Sequence, residues 1–207
     1  MKKFEIVNLG QKIFKFKVSQ ELVDRLNNKM DAEIKNNTSK SYNNYLTGKI
    51  KNEYDIITWF KKEDIDDEFD SAMNIVVNDS NIDKRNWNSI SLECNHVWIN
   101  DQKENEYQAI HTHYGASPIG FSIILFLKIP NFGPEFSNTD RPMNGRTSIL
   151  YNGSGMFARQ SHTIDPVVGD LYVFPYDVQH CVYPFTGSGI RRSLSANYDL
   201  FYQPKKI

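Results

Sequence analysis

The 207-residue chain is long enough to bury a substantial core, and its 24 basic and 25 acidic residues leave it nearly neutral. No basic excess points to an extended nucleic-acid track, and no apolar run approaches the roughly 20 residues of a membrane helix. Glu5 and Asn8 interrupt the apolar stretch that a signal peptide would need, so a cytoplasmic setting is expected, with Cys94 and Cys181 as reduced thiols and the formal sequons at Asn37 and Asn78 unused.

In chain order, two short strand candidates come first, at 4–7 and 12–18. The second alternates imperfectly and reads as an edge strand. Ser19 can cap a helix carrying the apolar stripe Leu22, Leu26 and Met30, with Val23 and Ile34 beside it. Residues 36–44 are polar and turn-prone, a loop. Residues 45–62 fit neither period and stay open. A second helix is predicted over 64–78, with Ile65, Phe69, Met73 and Val76 on one face and Ala72 adjacent. The acidic group Glu63, Asp64, Asp66, Asp67 and Glu68 at its start reads as a solvated face favoured by the helix dipole rather than as a metal site. From about residue 89 turn residues bound short apolar runs, and strands are predicted at 89–100, 106–113, 120–129, 147–151, 155–163, 170–175, 179–184 and 190–201. The run from Phe121 to Leu127 is apolar at both parities and should be a central strand covered on both sides. Residues 131–144 form the longest expected loop, a candidate lid. No linker divides the chain, so one domain over 1–207 is expected, with strands and supporting helices in 1–88 and a β core in 89–207. Its class is mostly β with α: a barrel or jelly roll with helices against one outer face.

The chemistry gathers in the β half. In His111-Thr112-His113 the two imidazoles point the same way only on an extended strand, because side chains there alternate with period 2. His180, in Gln179-His180-Cys181, supplies a third. Three imidazoles at a barrel mouth can hold a divalent transition metal and leave positions open. On the last strand Arg191, Ser193, Ser195 and Asn197 share one face, while Leu194, Ala196, Tyr198 and Leu200 share the other. If the apolar face packs on the helices, Arg191 points inward. A buried guanidinium without a partner is expensive, so an anion, most simply a carboxylate, should meet it there, with the Ser193 hydroxyl alongside. Arg192 has the opposite parity and is expected outside or at the rim. His96, sharing parity with Cys94 and Trp98, reads as core. His162 reads as either a mouth or a surface residue, Cys181 as a small buried hydrophobe, and Asn197 as hydrogen-bonded within the barrel. Lys84, Arg85, Lys205 and Lys206 are expected in solvent.

These pieces resemble the iron(II)/2-oxoglutarate-dependent oxygenases, particularly the prolyl-4-hydroxylase-like branch and its phage and bacterial relatives. The resemblance covers about residues 90–200. It rests on His111-Thr112-His113, the strand Ser122–Leu127, the run Val168-Gly169-Asp170-Leu171-Tyr172-Val173-Phe174-Pro175 leading to His180, and Arg191 with Ser193, Ser195 and Asn197. It implies a double-stranded β-helix, cupin-like, with supporting N-terminal helices. It also implies a dioxygenase (hydroxylase) whose catalytic iron(II) is held by His111, His113 and His180. The cosubstrate 2-oxoglutarate would chelate the metal and place its distal carboxylate on Arg191 and Ser193; Asn95 and Trp98 would flank it. Succinate and CO2 would be released, and ascorbate would serve as an accessory reductant. The substrate, a protein side chain or a small molecule, is not named by the sequence, nor is the oligomeric state, and a phage-encoded chain would work in its host's cytoplasm.

Two departures stand out. The family pattern is His-x-Asp or His-x-Glu where this chain has His111-Thr112-His113; either His113 completes a three-imidazole triad or a carboxylate such as Asp177 does. Phe126 stands where related enzymes have a tyrosine that donates to the distal carboxylate, leaving Tyr114 or Tyr172 to supply a hydroxyl. Two rival readings follow: a cupin-like three-histidine dioxygenase that uses no 2-oxoglutarate and binds its substrate's own acid group on Arg191, and a non-catalytic β-barrel binding module.

Overall fold

In the computed structural model, residues 10–42, 48–63, 65–80, 87–135, 140–151, 153 and 159–204 are described, without the side chains of residues 66, 68, 87 and 88. The elements run β1 (Phe14–Lys17), α1 (Gln20–Lys35), β2 (Lys40–Ser41), β3 (Glu53–Asp55), α2 (Ile57–Lys62), α3 (Asp66–Asp79), β4 (Trp87–Gln102), β5 (Gln108–His111), β6 (Gly120–Lys128), β7 (Asn131–Phe132), β8 (Thr147–Leu150), β9 (Ser161–Ile164), β10 (Asp170–Pro175), β11 (Gln179–Val182), β12 (Gly187–Ser188) and β13 (Arg191–Pro204). A major antiparallel sheet has the order β1-β10-β6-β13-β4-β3-β2, a minor one β5-β11-β8-β9, and β12 pairs with β7. This is a mixed fold dominated by antiparallel sheet, consistent with a double-stranded β-helix core flanked by helices.

The major sheet is covered on both faces, and the side-chain alternation of its strands decides what goes where. Ile123, Leu125 and Leu127 of β6 join Leu171 and Val173 of β10 and Leu194, Ala196, Tyr198 and Leu200 of β13 in one apolar cluster with α1 and α3. The intervening Ile124, Phe126, Tyr172 and Phe174 pack in a second cluster with Ile149 and Ile164 of the minor sheet. The unbroken apolar run of β6 is therefore read from both sides, as a central strand requires. β1 lies at the edge of its sheet, as its imperfect alternation predicts.

The helices form where their caps and stripes place them. The Ser19 hydroxyl accepts the Leu22 N–H at 3.1 Å, and Leu22, Val23, Leu26 and Met30 of α1 are buried. Phe69, Met73 and Val76 of α3 are buried, as is Ile65 just before its first residue. The open stretch 45–62 contains β3 and α2, and the expected loop at 36–44 carries the two-residue β2. Candidate strand 4–7, part of 155–163, the centre of the candidate lid, and Lys84, Arg85, Lys205 and Lys206 lie outside the described residues.

Three expectations are corrected. Arg192 is not at the rim: it is 1% exposed, with Nε and an Nη donating to the two Asp101 oxygens at 2.6 and 2.7 Å and the other Nη to Asp31 of α1 at 2.7 Å. Its parity is as read, but the face it occupies is covered by α1, and two carboxylates make that burial possible. His96 is not core. β13 pairs Asn197 with His96 but Tyr198 with Cys94, so Asn95 is an extra residue in β4. This bulge turns Cys94 to the helix side, leaves His96 exposed and sends Trp98 to the opposite face. Cys181 is half-buried rather than buried.

Candidate metal centre

The minor sheet assembles the histidines. β11 pairs antiparallel with β5 so that His180 stands directly opposite His111, and their rings lie 4.2 Å apart, centroid to centroid. His113 falls just past the end of β5, where its backbone N–H donates to the Tyr176 carbonyl at 3.0 Å. Its ring stacks on His180 at 4.9 Å and 11°, with the two Nε2 atoms 3.1 Å apart. One ligand atom from each of the three residues lies within 4.8 Å of the others, and no carboxylate shares this group among the described residues.

The donor set fits a transition metal. His111 Nδ1–H donates to the Ala109 carbonyl at 2.7 Å and His180 Nδ1–H to the Val178 carbonyl at 3.1 Å, which fixes the tautomer and makes Nε2 the lone-pair atom of each ring. Two nitrogens at about 2.1 Å from one ion and at right angles would be about 3 Å apart, close to the His113–His180 separation. Burial disfavours the protonated form of all three rings. It pulls His180 down to about 3 with His111 adding to the effect, and lowers His113 and His111 as well.

The imidazoles open onto a cavity shared with Trp98, Asn100, Gln108, Arg191, Ser193 and Ser195. Arg191 is 1% exposed. Its Nε donates to the Gly145 carbonyl at 2.8 Å and an Nη to the Thr147 hydroxyl at 2.9 Å, and the guanidinium lies over the Phe126 ring at 5.0 Å. Among the described residues no carboxylate pairs with it, and burial alone pulls it down to about 9. The buried Trp98 Nε1 and Asn100 Oδ1 have no hydrogen-bond partner among the described residues. The cavity is narrow, with about 10 Å³ of free space, room for a single water. A larger cavity of about 540 Å³ lies away from the imidazoles, around Lys12, Phe14, Pro118 and Tyr176.

The profile of a family described as "Putative 2OG-Fe(II) oxygenase" matches residues 96–197, the span that holds all three histidines and Arg191. Over that span, just under half of its length, the chain is similar to the 2OG-Fe(II) oxygenases. No curated protein matches its sequence. Among solved structures it is similar to a Trichoplax adhaerens prolyl hydroxylase in complex with a hypoxia-inducible-factor peptide fragment (12% identity, 92% of this chain and 83% of that one, TM-score 0.59). It is also similar to the viral collagen prolyl hydroxylase of Paramecium bursaria chlorella virus-1 (14%, 90% and 94%, 0.55) and to HygX of Streptomyces hygroscopicus with nickel, 2-oxoglutarate and hygromycin B bound (8%, 92% and 83%, 0.58). At these identities the likeness is one of fold.

The departures from that family's pattern now have a place in the fold. Asp177, the candidate carboxylate ligand, is exposed and accepts from Gln11 at 2.7 Å, outside the histidine group. Tyr114 is 83% exposed and cannot serve Arg191. Tyr172 packs edge-on against Phe126 at 6.2 Å between the sheets. The hydroxyl that does touch Arg191 is Thr147, at the start of β8. Thr147, Asn100 and Gln108 were missed by sequence reading. The signal for Thr147 is its shared parity with the inward Ile149. Of the flanking candidates, Trp98 lines the cavity 5.8 Å from the His113 ring, whereas the Asn95 amide donates to Asp199. Asn197 accepts from the Ser122 hydroxyl at 3.2 Å. His162 accepts from Arg159 at 3.0 Å on β9, apart from the histidine group.

Proposed function

We propose that this protein is an iron(II)-dependent oxygenase whose metal is held by His111, His113 and His180. One observation carries the reading: three imidazoles, one buried and two half-buried, share a cavity with a buried guanidinium that has no carboxylate partner among the described residues. Bound iron would supply dioxygen activation. The chain's own residues do the rest: the Ala109 and Val178 carbonyls hold two rings in the ligating tautomer, and Trp98 and Ile124 line the cavity and limit water. Arg191, oriented by Gly145 and Thr147, anchors an acid group.

Three neutral ligands leave the metal's double charge uncompensated and favour an anionic partner. The set without a carboxylate supports a three-histidine dioxygenase that takes its organic substrate directly, with the substrate's own acid group on Arg191. A second reading, a 2-oxoglutarate-dependent hydroxylase, is favoured by the Arg191–Thr147 pair, which offers a guanidinium and a hydroxyl to a distal carboxylate while Ser193 lines the same cavity. Anaerobic titration of the iron(II)-loaded protein with 2-oxoglutarate separates them. A visible charge-transfer band and turnover to succinate would establish the second reading. Iron binding with no 2-oxoglutarate affinity would leave the first, and failure to take up iron would end both.

A further inference from the structure

Asp199 is a carboxylate on β13 with no solvent exposure, and no residue of the proposed metal centre touches it. Its three donors come from three separate parts of the chain. The Tyr176 hydroxyl donates to Oδ1 at 3.0 Å, the Ala116 backbone N–H donates to Oδ2 at 2.9 Å, and the Asn95 amide, presented by the β4 bulge, also donates to Oδ2. No cation pairs with this carboxylate among the described residues, so these dipoles carry the cost of burying it.

What the donors belong to matters more than their number. Ala116 is three residues past His113. Tyr176 sits on the turn between β10 and β11 that leads into His180, and its backbone carbonyl is the acceptor for the His113 N–H at 3.0 Å. One carboxylate thus ties the segment carrying His113 to the turn that precedes His180. The packing around it is close. A Cβ on Gly115 would lie 1.9 Å from Asp199 Oδ1, and one on Gly120 would lie 2.3 Å from the Tyr176 ring, so both positions need glycine for the knot to close.

Resting on the three-histidine reading above, we propose that Asp199 is a positioning residue for the metal centre. It sets the distance between His113 and His180 through Tyr176 and Ala116, without touching metal or substrate. β5 ends at His111, so His113 has no strand hydrogen bonds of its own to hold it. The link to Tyr176 does that, and Asp199 fixes Tyr176.

Cobalt(II) is the probe, because its visible ligand-field bands report coordination independently of turnover. The wild-type protein, Asp199→Asn, Tyr176→Phe and Gly115→Ala are titrated well below their unfolding midpoints. Leu22→Ala, in the helix-side cluster, controls for destabilisation alone. The expected result is cobalt affinity weakened by about tenfold or more in Asp199→Asn and Gly115→Ala, with a changed band pattern, and by less in Tyr176→Phe, whose backbone carbonyl remains. Leu22→Ala should lower the midpoint and leave affinity and spectrum as in wild type. If wild type binds cobalt and Asp199→Asn binds it with the same affinity and spectrum, the positioning role is overturned while the metal reading stands. If wild type binds none, or Leu22→Ala weakens binding as much as Asp199→Asn does, the positioning role also falls, the first of these taking the metal reading with it.

Discussion

Arg191 and Arg192 are neighbours on one strand, each 1% exposed, and they have opposite surroundings. Burial works against the charge of Arg192, but Asp101 and then Asp31 outweigh it and its pKa is raised. Arg191 meets a carbonyl, a hydroxyl and an aromatic face, and its pKa falls to about 9. A paired buried charge is architecture: Arg192 fastens α1 to the sheet. An unpaired one, kept in a cavity with three imidazoles, is what the proposed anchoring of an acid group calls for. Depth of burial does not separate the two residues; the company each keeps does.

The contrast can be broken most strongly at Arg192. Arg192→Met strands the nearly buried Asp101 carboxylate and should cost about 3–5 kcal/mol in urea unfolding, much of it recovered when Asp101→Leu is added. Arg191→Met should behave otherwise. With no ionic partner left behind, stability should change by under about 2 kcal/mol. Protection by whichever small carboxylate the iron titration selects should weaken about 100-fold, with metal affinity unchanged. Equal losses of stability in the two variants would erase the distinction.

The imidazoles sharpen it through pH. Their native pKa values lie below the unfolded value of about 6.5, so between the two the unfolded chain binds protons that the native one refuses, and stability is lost as pH falls. For His180 alone the loss from pH 8 to pH 5 should be about 2 kcal/mol in the metal-free protein. A flat urea profile over that range would mean that the rings take up protons in the folded state. Glu53 is the acidic counterpart. Burial raises it to about 7, opposed by a hydrogen bond from Gln108 and aided by Glu106. A carboxyl raised in the folded state costs stability as pH rises through that value, so Glu53→Gln should stabilise the protein by about 1–2 kcal/mol at pH 8 and have no effect at pH 4.

Much of this arrangement was legible in the sequence because it rests on period-2 alternation and on caps. β10 begins and ends where its flanking residues place it, Ser19 caps α1, and the two faces of β13 separate as Leu194 and Ser195 predict. What failed depended on information outside the local pattern. Alternation puts Arg192 on the far face but cannot say that a helix covers that face with Asp31. It carries Cys94 and Trp98 to one side until Asn95 adds a residue and reverses them, and nothing in the composition of that strand announces the bulge. β3 and α2 are too short for either period to emerge. At the site, the convergence of His111 and His180 follows from strand pairing, whereas Thr147 reaches Arg191 from a strand that sequence reading had given no chemical role.

Among the described residues β5 ends the minor sheet: it pairs with β11 in a register that shifts between its two pairings, and on its other side Gln108 makes an isolated bridge to Gly48. Left alone, such a strand should fray, and its amides should exchange with deuterium through local opening long before the molecule as a whole unfolds. An ion bound by His111 and His180 would cross-link that edge to its neighbour. Loading metal should then slow exchange at the end of β5 while leaving the amides of β6 almost untouched, and a chelator should undo the protection.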